Sequence, residues 1–551
     1  MTLVSERPRA GSNARTREGP SRELLTIGAL VVFGLVVLSP VLNARFVLVD
    51  DHEILSLVPP IGAPSGVRPQ LDVRGMAFAS DPSVGRFRPL YWTVRFGEIA
   101  LLGDNASAWH ALILTFGLVA AGLLYAAGRS LGASRVAAAL LGGWLLVAPG
   151  VSSLWVRLGA DDTLATVFLS LSLLAATRAA RTGASGLWDV LLVIAALAAT
   201  LTKEAFSLAM IGVAVFRASL YQTRTSTWRL WRVPTAAWLV LLVGVAGTAY
   251  AFLTGRAAGP LSYGGRYLAL PDPVSYLRSV VQNAAILVYV GLGWIALPAL
   301  FGYAKRQTRK ERAAMLIAGL SAAALVVPQL LLYSQQGIFE GKYEAAAAVG
   351  VAGATMLALL WLERRGQVRL YKVGLGVWTA TLAAFALSTW TYARYFTEDS
   401  LQLNRLVETV AASTPTSQTI GIAADPARQY EPILSLVDHV AHQGQGNFEI
   451  KVLPLAPDRP YSALEASFAS ELAASALAQP PLSTCGDLGA MIVLGDEGAT
   501  RRALPCLNQG FRRLEFSEAV LLWGGDAVSL RPRLPGIGRI SYVVYLGERA
   551  S

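Results

Sequence analysis

Charge is what this sequence has least of. Only 15% of its 551 residues are Asp, Glu, Lys or Arg, against roughly a quarter in an ordinary soluble domain. That deficit argues against two to four water-exposed domains, the usual outcome at this length. Histidine and cysteine are scarce as well, at four and two residues. His52, His110, His439 and His442 lie too far apart along the chain to suggest a metal cage. A P-loop, a GxGxxG at a strand-to-helix turn, HExxH, CxxC and GxSxG are all missing, which leaves nucleotide-driven chemistry without its usual cradle.

What is present is apolar sequence, 54% of the chain with a mean hydropathy of +0.47. Apolar runs fall near 24–42, 110–128, 136–155, 163–178, 187–201, 205–219, 234–253, 280–303, 313–333, 345–362 and 373–391. Each is long enough, or nearly so, to cross a bilayer as a helix. The expected fold is an all-α polytopic membrane domain of about eleven helices, followed by a C-terminal α/β domain. The first run is longer than a signal-peptide core and has no clear small-x-small cleavage site, so it reads as an uncleaved membrane helix.

The net charge of +11 suggests nucleic acid until the basic residues are located. They cluster in short loops: Arg129 and Arg135; Arg178 and Arg181; Arg224, Arg229 and Arg232; Lys305 to Arg312; Arg364 to Lys372. Threading the chain through the apolar runs puts every one of these loops on the same side as the Arg-rich segment 1–22. This is the positive-inside pattern, so the N-terminus is expected in the cytoplasm and no nucleic-acid partner is expected. The opposite face receives 43–108, 156–162, 202–204, 254–279, 334–344 and everything after Trp390.

The domains expected are a disordered basic tail over 1–22, a membrane domain over 23–394 whose first outer loop is 43–108, and an extracytoplasmic domain over 395–551. In the last, β-rich runs at 419–423, 448–455, 490–494, 519–523 and 540–546 alternate with helical segments at 401–412, 430–442 and 462–479. Both cysteines, Cys485 and Cys506, lie there. On that side of the membrane a disulfide is expected, the alternative being two free thiols.

The residues that can carry chemistry gather at outer loop ends. Asp50 and Asp51, with His52 and Glu53, follow the first helix; neighbouring carboxylates repel, which fits one for a general base or the pair for a cation. The bland alternative is a solvated loop or helix cap. Asp161 and Asp162 precede the fourth run and serve equally well as helix caps or as ligands for a divalent metal ion. Lys203, in Thr202-Lys203-Glu204, either neutralises an anionic head group or forms an interfacial turn. Lys342 and Tyr343, with Arg266 and Tyr267 as a similar pair, are basic-aromatic steps on a face that the basic loops otherwise avoid. A phosphate-bearing ligand explains them, and so does snorkelling.

In order and spacing these segments resemble the GT-C glycosyltransferases that use polyprenyl-phosphate sugars, and among them the protein O-mannosyltransferase-like members. The stretches concerned are Phe46 to His52, Phe87-Arg88-Pro89-Leu90, Leu102-Gly103-Asp104-Asn105 leading to Trp109-His110, Asp161-Asp162-Thr163-Leu164-Ala165 and Leu201-Thr202-Lys203-Glu204-Ala205. The likeness covers roughly 45–210. It implies an enzyme that moves a sugar from a polyprenyl-phosphate donor to a hydroxyl of a glycan, lipid or protein acceptor, with inversion. Asp50 and Asp51 would be catalytic; Arg88, Lys203, Arg266, Lys342, Tyr343 and His110 would bind substrate and phosphate. The Arg- and Ala-rich usage resembles that of high-GC bacteria, hence a bacterial plasma membrane. The rivals are a transporter or flippase of envelope precursors, which would carry ionisable residues mid-helix, and an inert assembly protein.

Overall fold

The computed structural model describes residues 20–48, 51–59, 88–159, 161–182, 186–225, 232–258, 272–296, 309–336, 341–415, 417–443, 448–457, 460–461, 463–478, 482, 484–522 and 536–547. Asp50 and Arg266 therefore lie outside the described residues, and of His52 and Lys342 only the backbone is described.

The apolar runs form helices. The membrane domain comprises α1 (Pro20–Leu38), the short α2 (His52–Leu55), α3 (Pro89–Leu102), α4 (Ala106–Ser130), α5 (Arg135–Val147), α6 (Asp161–Thr182), α7 (Leu187–Thr202), α8 (Phe206–Thr225), α9 (Thr235–Ala258), α10 (Pro273–Val290), α11 (Arg309–Tyr333) and α12 (Ala345–Arg364), and most of α13 (Val368–Ser413). Among the described residues six helices are long and apolar enough to cross a membrane, and four shorter apolar helices accompany them. The chain is a multi-pass membrane protein.

Local chemistry sets the helix ends. Asn105 and Ser134 accept backbone N–H groups at the starts of α4 and α5, as N-cap residues do. Helix α10 begins seven residues before the apolar run at 280, because Asp272 caps it by accepting the Ser275 N–H at 2.8 Å and Pro273 supplies its first turn. It stops at Val290, where Leu292 adopts a φ of 58°.

Between helices, packing runs through small residues, as it must where lipid gives no hydrophobic drive for helices to associate. A Cβ added to Gly212 on α8 would stand 2.7 Å from the backbone nitrogen of Leu325 on α11. Leu24, Val36, Val190, Leu242 and Leu253, on outward faces, stay exposed, as lipid-facing side chains would. At one end of the bundle Glu23 joins Arg129 at 2.6 Å and Arg135 at 3.3 Å. Asp189 and Arg217 are also paired, at 2.9 Å between Oδ1 and Nε.

The sheet has the order β2-β1-β3-β5-β4, from β1 (Thr419–Ala424), β2 (Glu449–Pro454), β3 (Leu488–Val493), β4 (Phe511–Leu522) and β5 (Gly536–Gly547). Strand β1 pairs parallel with β2 and β3; β5 pairs antiparallel with β3 and β4. The central β1 and β3 are buried along their whole length, as strands covered on both faces are. One face packs Ile420, Ile422 and Ile492 on Leu403, Leu406 and Val410 of α13 and on Ile433 and Leu436 of α14 (Tyr430–Gln443). Two further helices, α15 (Ala463–Ala474) and α16 (Glu497–Ala503), complete this part of the chain, and a disulfide joins Cys485 to Cys506. The segment expected as a separate helix at 401–412 is the end of α13, which runs unbroken for 46 residues from the membrane domain into this one.

Candidate active site

Helices α6 and α7 are antiparallel neighbours, so the start of one meets the end of the other. That places Asp161 and Asp162, in the first turn of α6, against Lys203, the residue that ends α7. The Lys203 ammonium lies 2.9 Å from Asp161 Oδ1 and is also hydrogen-bonded to Asp162 Oδ2. Arg88, immediately before α3, donates from Nη1 to Asp161 Oδ2 at 2.8 Å. The four groups are all at least nine-tenths buried. Two cations against two carboxylates balance in charge, which is what permits their burial.

Aromatic rings enclose the cluster. Tyr343 places its ring centroid 4.9 Å from the Lys203 nitrogen. The Arg88 guanidinium lies over the rings of Tyr91 and Trp92 at 5.1 and 5.7 Å, both distances within cation–π reach. Tyr91 carries the network to the first loop: its hydroxyl donates to Glu53 Oε2 at 2.5 Å, shares the Gly159 carbonyl at 3.1 Å, and accepts from Arg95 Nη2 at 3.2 Å. Burial pushes the Tyr91 phenol well above its usual pKa, so it stays a neutral donor.

A continuous network thus runs from the half-buried Glu53 through the buried Tyr91, Arg88, Asp161 and Lys203 to Asp162 and the half-buried Tyr343. Segments far apart in sequence come together at one end of the bundle.

Asp51, two residues before Glu53, is fully buried; its Oδ2 accepts the Val47 N–H at 2.8 Å, and its carbonyl opens α2 by accepting from Ile54 and Leu55. His110 is buried on α4 with its ring edge-on to Phe396 at 5.9 Å, and the structure does not join it to the Arg88–Lys203 cluster. Asp50 and Arg266 fall outside the described residues, as does the Lys342 side chain.

Sequence reasoning overlooked three participants. Tyr91 and Arg95 stand three and seven residues beyond Arg88, a spacing that puts them on one helical face. The third is Glu344, next to Tyr343. It is 1% exposed, and neither carboxylate oxygen has a hydrogen-bond partner among the described residues. Only its position beside Tyr343 marked it.

No protein-family model matches the sequence, and no curated protein does. Solved structures do match. The apo form of ArnT from Cupriavidus metallidurans aligns with 95% of this chain and 98% of its own, at a TM-score of 0.50 and 15% identity. The same protein bound to undecaprenyl phosphate aligns over the same shares at a TM-score of 0.50 and 16% identity. The chain has the ArnT fold. An oligosaccharyltransferase from Archaeoglobus fulgidus, in complex with zinc and sulfate, aligns with 85% of this chain and 67% of its own at a TM-score of 0.37 and 12% identity. The ArnT fold accounts for nearly the whole chain. The O-mannosyltransferase-like resemblance finds no counterpart among these structures.

Proposed function

We propose that this protein is a GT-C type glycosyltransferase that moves a sugar from a polyprenyl-phosphate donor to a hydroxyl acceptor at the outer face of a bacterial plasma membrane, with its N-terminus in the cytoplasm. The observation that carries the reading is the convergence of Arg88, Asp161, Asp162, Lys203 and Tyr343 at one end of an ArnT-like bundle, next to Tyr91, which is bonded to Glu53, two residues from the buried Asp51. ArnT itself has been solved with undecaprenyl phosphate, which supports a polyprenyl-linked donor here.

The chemistry follows from the residue types. A carboxylate of the Asp50–Asp51 pair takes the proton of the acceptor hydroxyl. The oxygen attacks the anomeric carbon on the face opposite the phosphate, a new glycosidic bond forms, and the bond to phosphate oxygen breaks. Polyprenyl phosphate leaves with the bonding electron pair, and cations stabilise the charge that builds on it. Lys203 is already committed to two carboxylates, so it sets the position of the cationic edge. Arg88, and Arg266 and Lys342 from the outer loops of the sequence, are the cations assigned to the phosphate.

Asp161 and Asp162 do not fit a divalent metal ion. Lys203 and Arg88 already balance their charge, and no group of three metal-ligating side chains occurs among the described residues. No step above needs a metal. A transporter would carry charge along a path through the bundle; here the charges just described gather at one end.

The reading is tested by assaying sugar transfer from a labelled polyprenyl-phosphate donor in membranes holding equal amounts of wild type, Asp50→Asn and Asp51→Asn. Losing the base should lower turnover about 100- to 10,000-fold. Wild-type rates in both variants would refute it.

A further inference from the structure

The loop that holds Asp51 is gripped by the C-terminal domain. The Val47 N–H donates to Asp51 Oδ2 at 2.8 Å. The Val47 carbonyl is approached from α14 by Ser435 Oγ at 3.3 Å and His439 Nε2 at 3.2 Å. A carbonyl only accepts, so His439 carries its proton on Nε2. All four residues are buried: Asp51 and Ser435 completely, Val47 and His439 at 5% and 6% exposure.

The grip extends to both sides. Leu48 packs into the apolar core of the C-terminal domain. The Arg45 N–H donates to Ser400 Oγ at 2.8 Å, and Thr397 Oγ1 donates to the Pro40 carbonyl at 2.9 Å, both partners lying on α13. At the far end of α14, His442 Nε2 reaches to 4.0 Å from Asp104 in the turn between α3 and α4. The domain therefore holds Pro40, Arg45 and Val47 through their backbone, where sequence offers no sign of contact.

We propose that the C-terminal domain is a positioning element for the Asp51 carboxylate, with His439 and Ser435 acting through the Val47 backbone, whose carbonyl they hold and whose N–H holds Asp51. A hydrogen bond accepted by the Val47 carbonyl fixes the orientation of the segment whose N–H orients Asp51. His439 and Ser435 touch no substrate; they set where the acid stands. This rests on the glycosyltransferase reading for its catalytic consequence, but its structural part does not.

The test uses the full chain in lipid nanodiscs, with wild type, His439→Leu, His439→Gln and Ser435→Ala compared by hydrogen–deuterium exchange and by sugar transfer. In His439→Leu, exchange over 46–58 should quicken about tenfold while α4 and α6 stay as in wild type, and kcat should fall about tenfold with the donor KM held within about twofold. Ser435→Ala should do the same at about threefold, and His439→Gln, which restores a side-chain N–H donor, should recover most of both. Unchanged exchange over 46–58 in both His439→Leu and Ser435→Ala overturns the proposal, as does a rise in KM at constant kcat. If His439→Leu does not fold, Ser435→Ala decides. If wild type transfers no sugar, the functional reading fails, and the exchange measurement alone decides the coupling.

Discussion

Lys203 and Asp161 stand 2.9 Å apart inside the bundle, both at least nine-tenths buried, with Asp162 and Arg88 completing the ionic group. In a low-dielectric interior such a group is costly to build and more costly to break. Lys203→Met would take from two adjacent buried carboxylates the cation that bonds both, and should cost about 3–5 kcal/mol. Thermal unfolding in detergent should show this as a clear loss, smaller for Lys203→Arg. The triple variant Lys203→Met, Asp161→Asn, Asp162→Asn should regain much of the stability and none of the sugar transfer, separating the group's structural role from its chemical one.

Glu344 gives a pH dependence. Burial raises its carboxyl well above the ordinary value of 4.5, and neither of its oxygens has a hydrogen-bond partner among the described residues. A folded-state pKa above the unfolded one favours the fold while the group is protonated. Stability is therefore greatest below pH 4.5 and falls as pH rises from there toward the folded-state value. Glu344→Gln should raise the unfolding temperature at pH 8, by roughly 3 °C or more, and leave it nearly unchanged at pH 4.5. Equal shifts at both pH values would contradict the assignment.

The disulfide between Cys485 and Cys506 spans a separation of 21 residues. Closing a loop of that size should stabilise the C-terminal domain by about 3 kcal/mol. Reduction should lower the unfolding transition of this domain and leave helix content in the membrane domain as it was, which circular dichroism with and without reductant checks. Labelling of both thiols without prior reduction would contradict the bond.

The helices were legible because lipid demands long apolar runs, and nearly every run expected falls on a helix. The exceptions have local causes. Around residue 395 hydropathy drops, which reads as a boundary; yet Thr397-Glu398-Asp399-Ser400 contains neither proline nor glycine, so the backbone stays helical through Ser413. Strand β4 begins at Phe511, not at 519, a start that Arg512, Arg513, Glu515 and Glu518 hid: charges that read as a loop sit on an edge strand, where Arg513 pairs with Glu497 and Glu515 with Arg539. Each motif of the site was visible by itself. That Arg88, Asp161 and Lys203 would share one cluster depended on how α3, α6 and α7 pack, which no local pattern carries. The hold of α14 on Val47 was invisible for the same reason, since one partner is a backbone carbonyl.

If the charged end of the bundle recognises the phosphate of a polyprenyl donor, the lipid's phosphate decides binding. Native mass spectrometry of the protein titrated with undecaprenyl phosphate and with undecaprenol, matched in chain and differing only in the phosphate, measures this. Binding should be at least tenfold tighter for the phosphate and should lose this preference in Arg88→Leu, through the loss of charge-assisted hydrogen bonds worth about 1.5–3 kcal/mol. Equal binding of the two lipids by the wild-type protein would contradict this recognition.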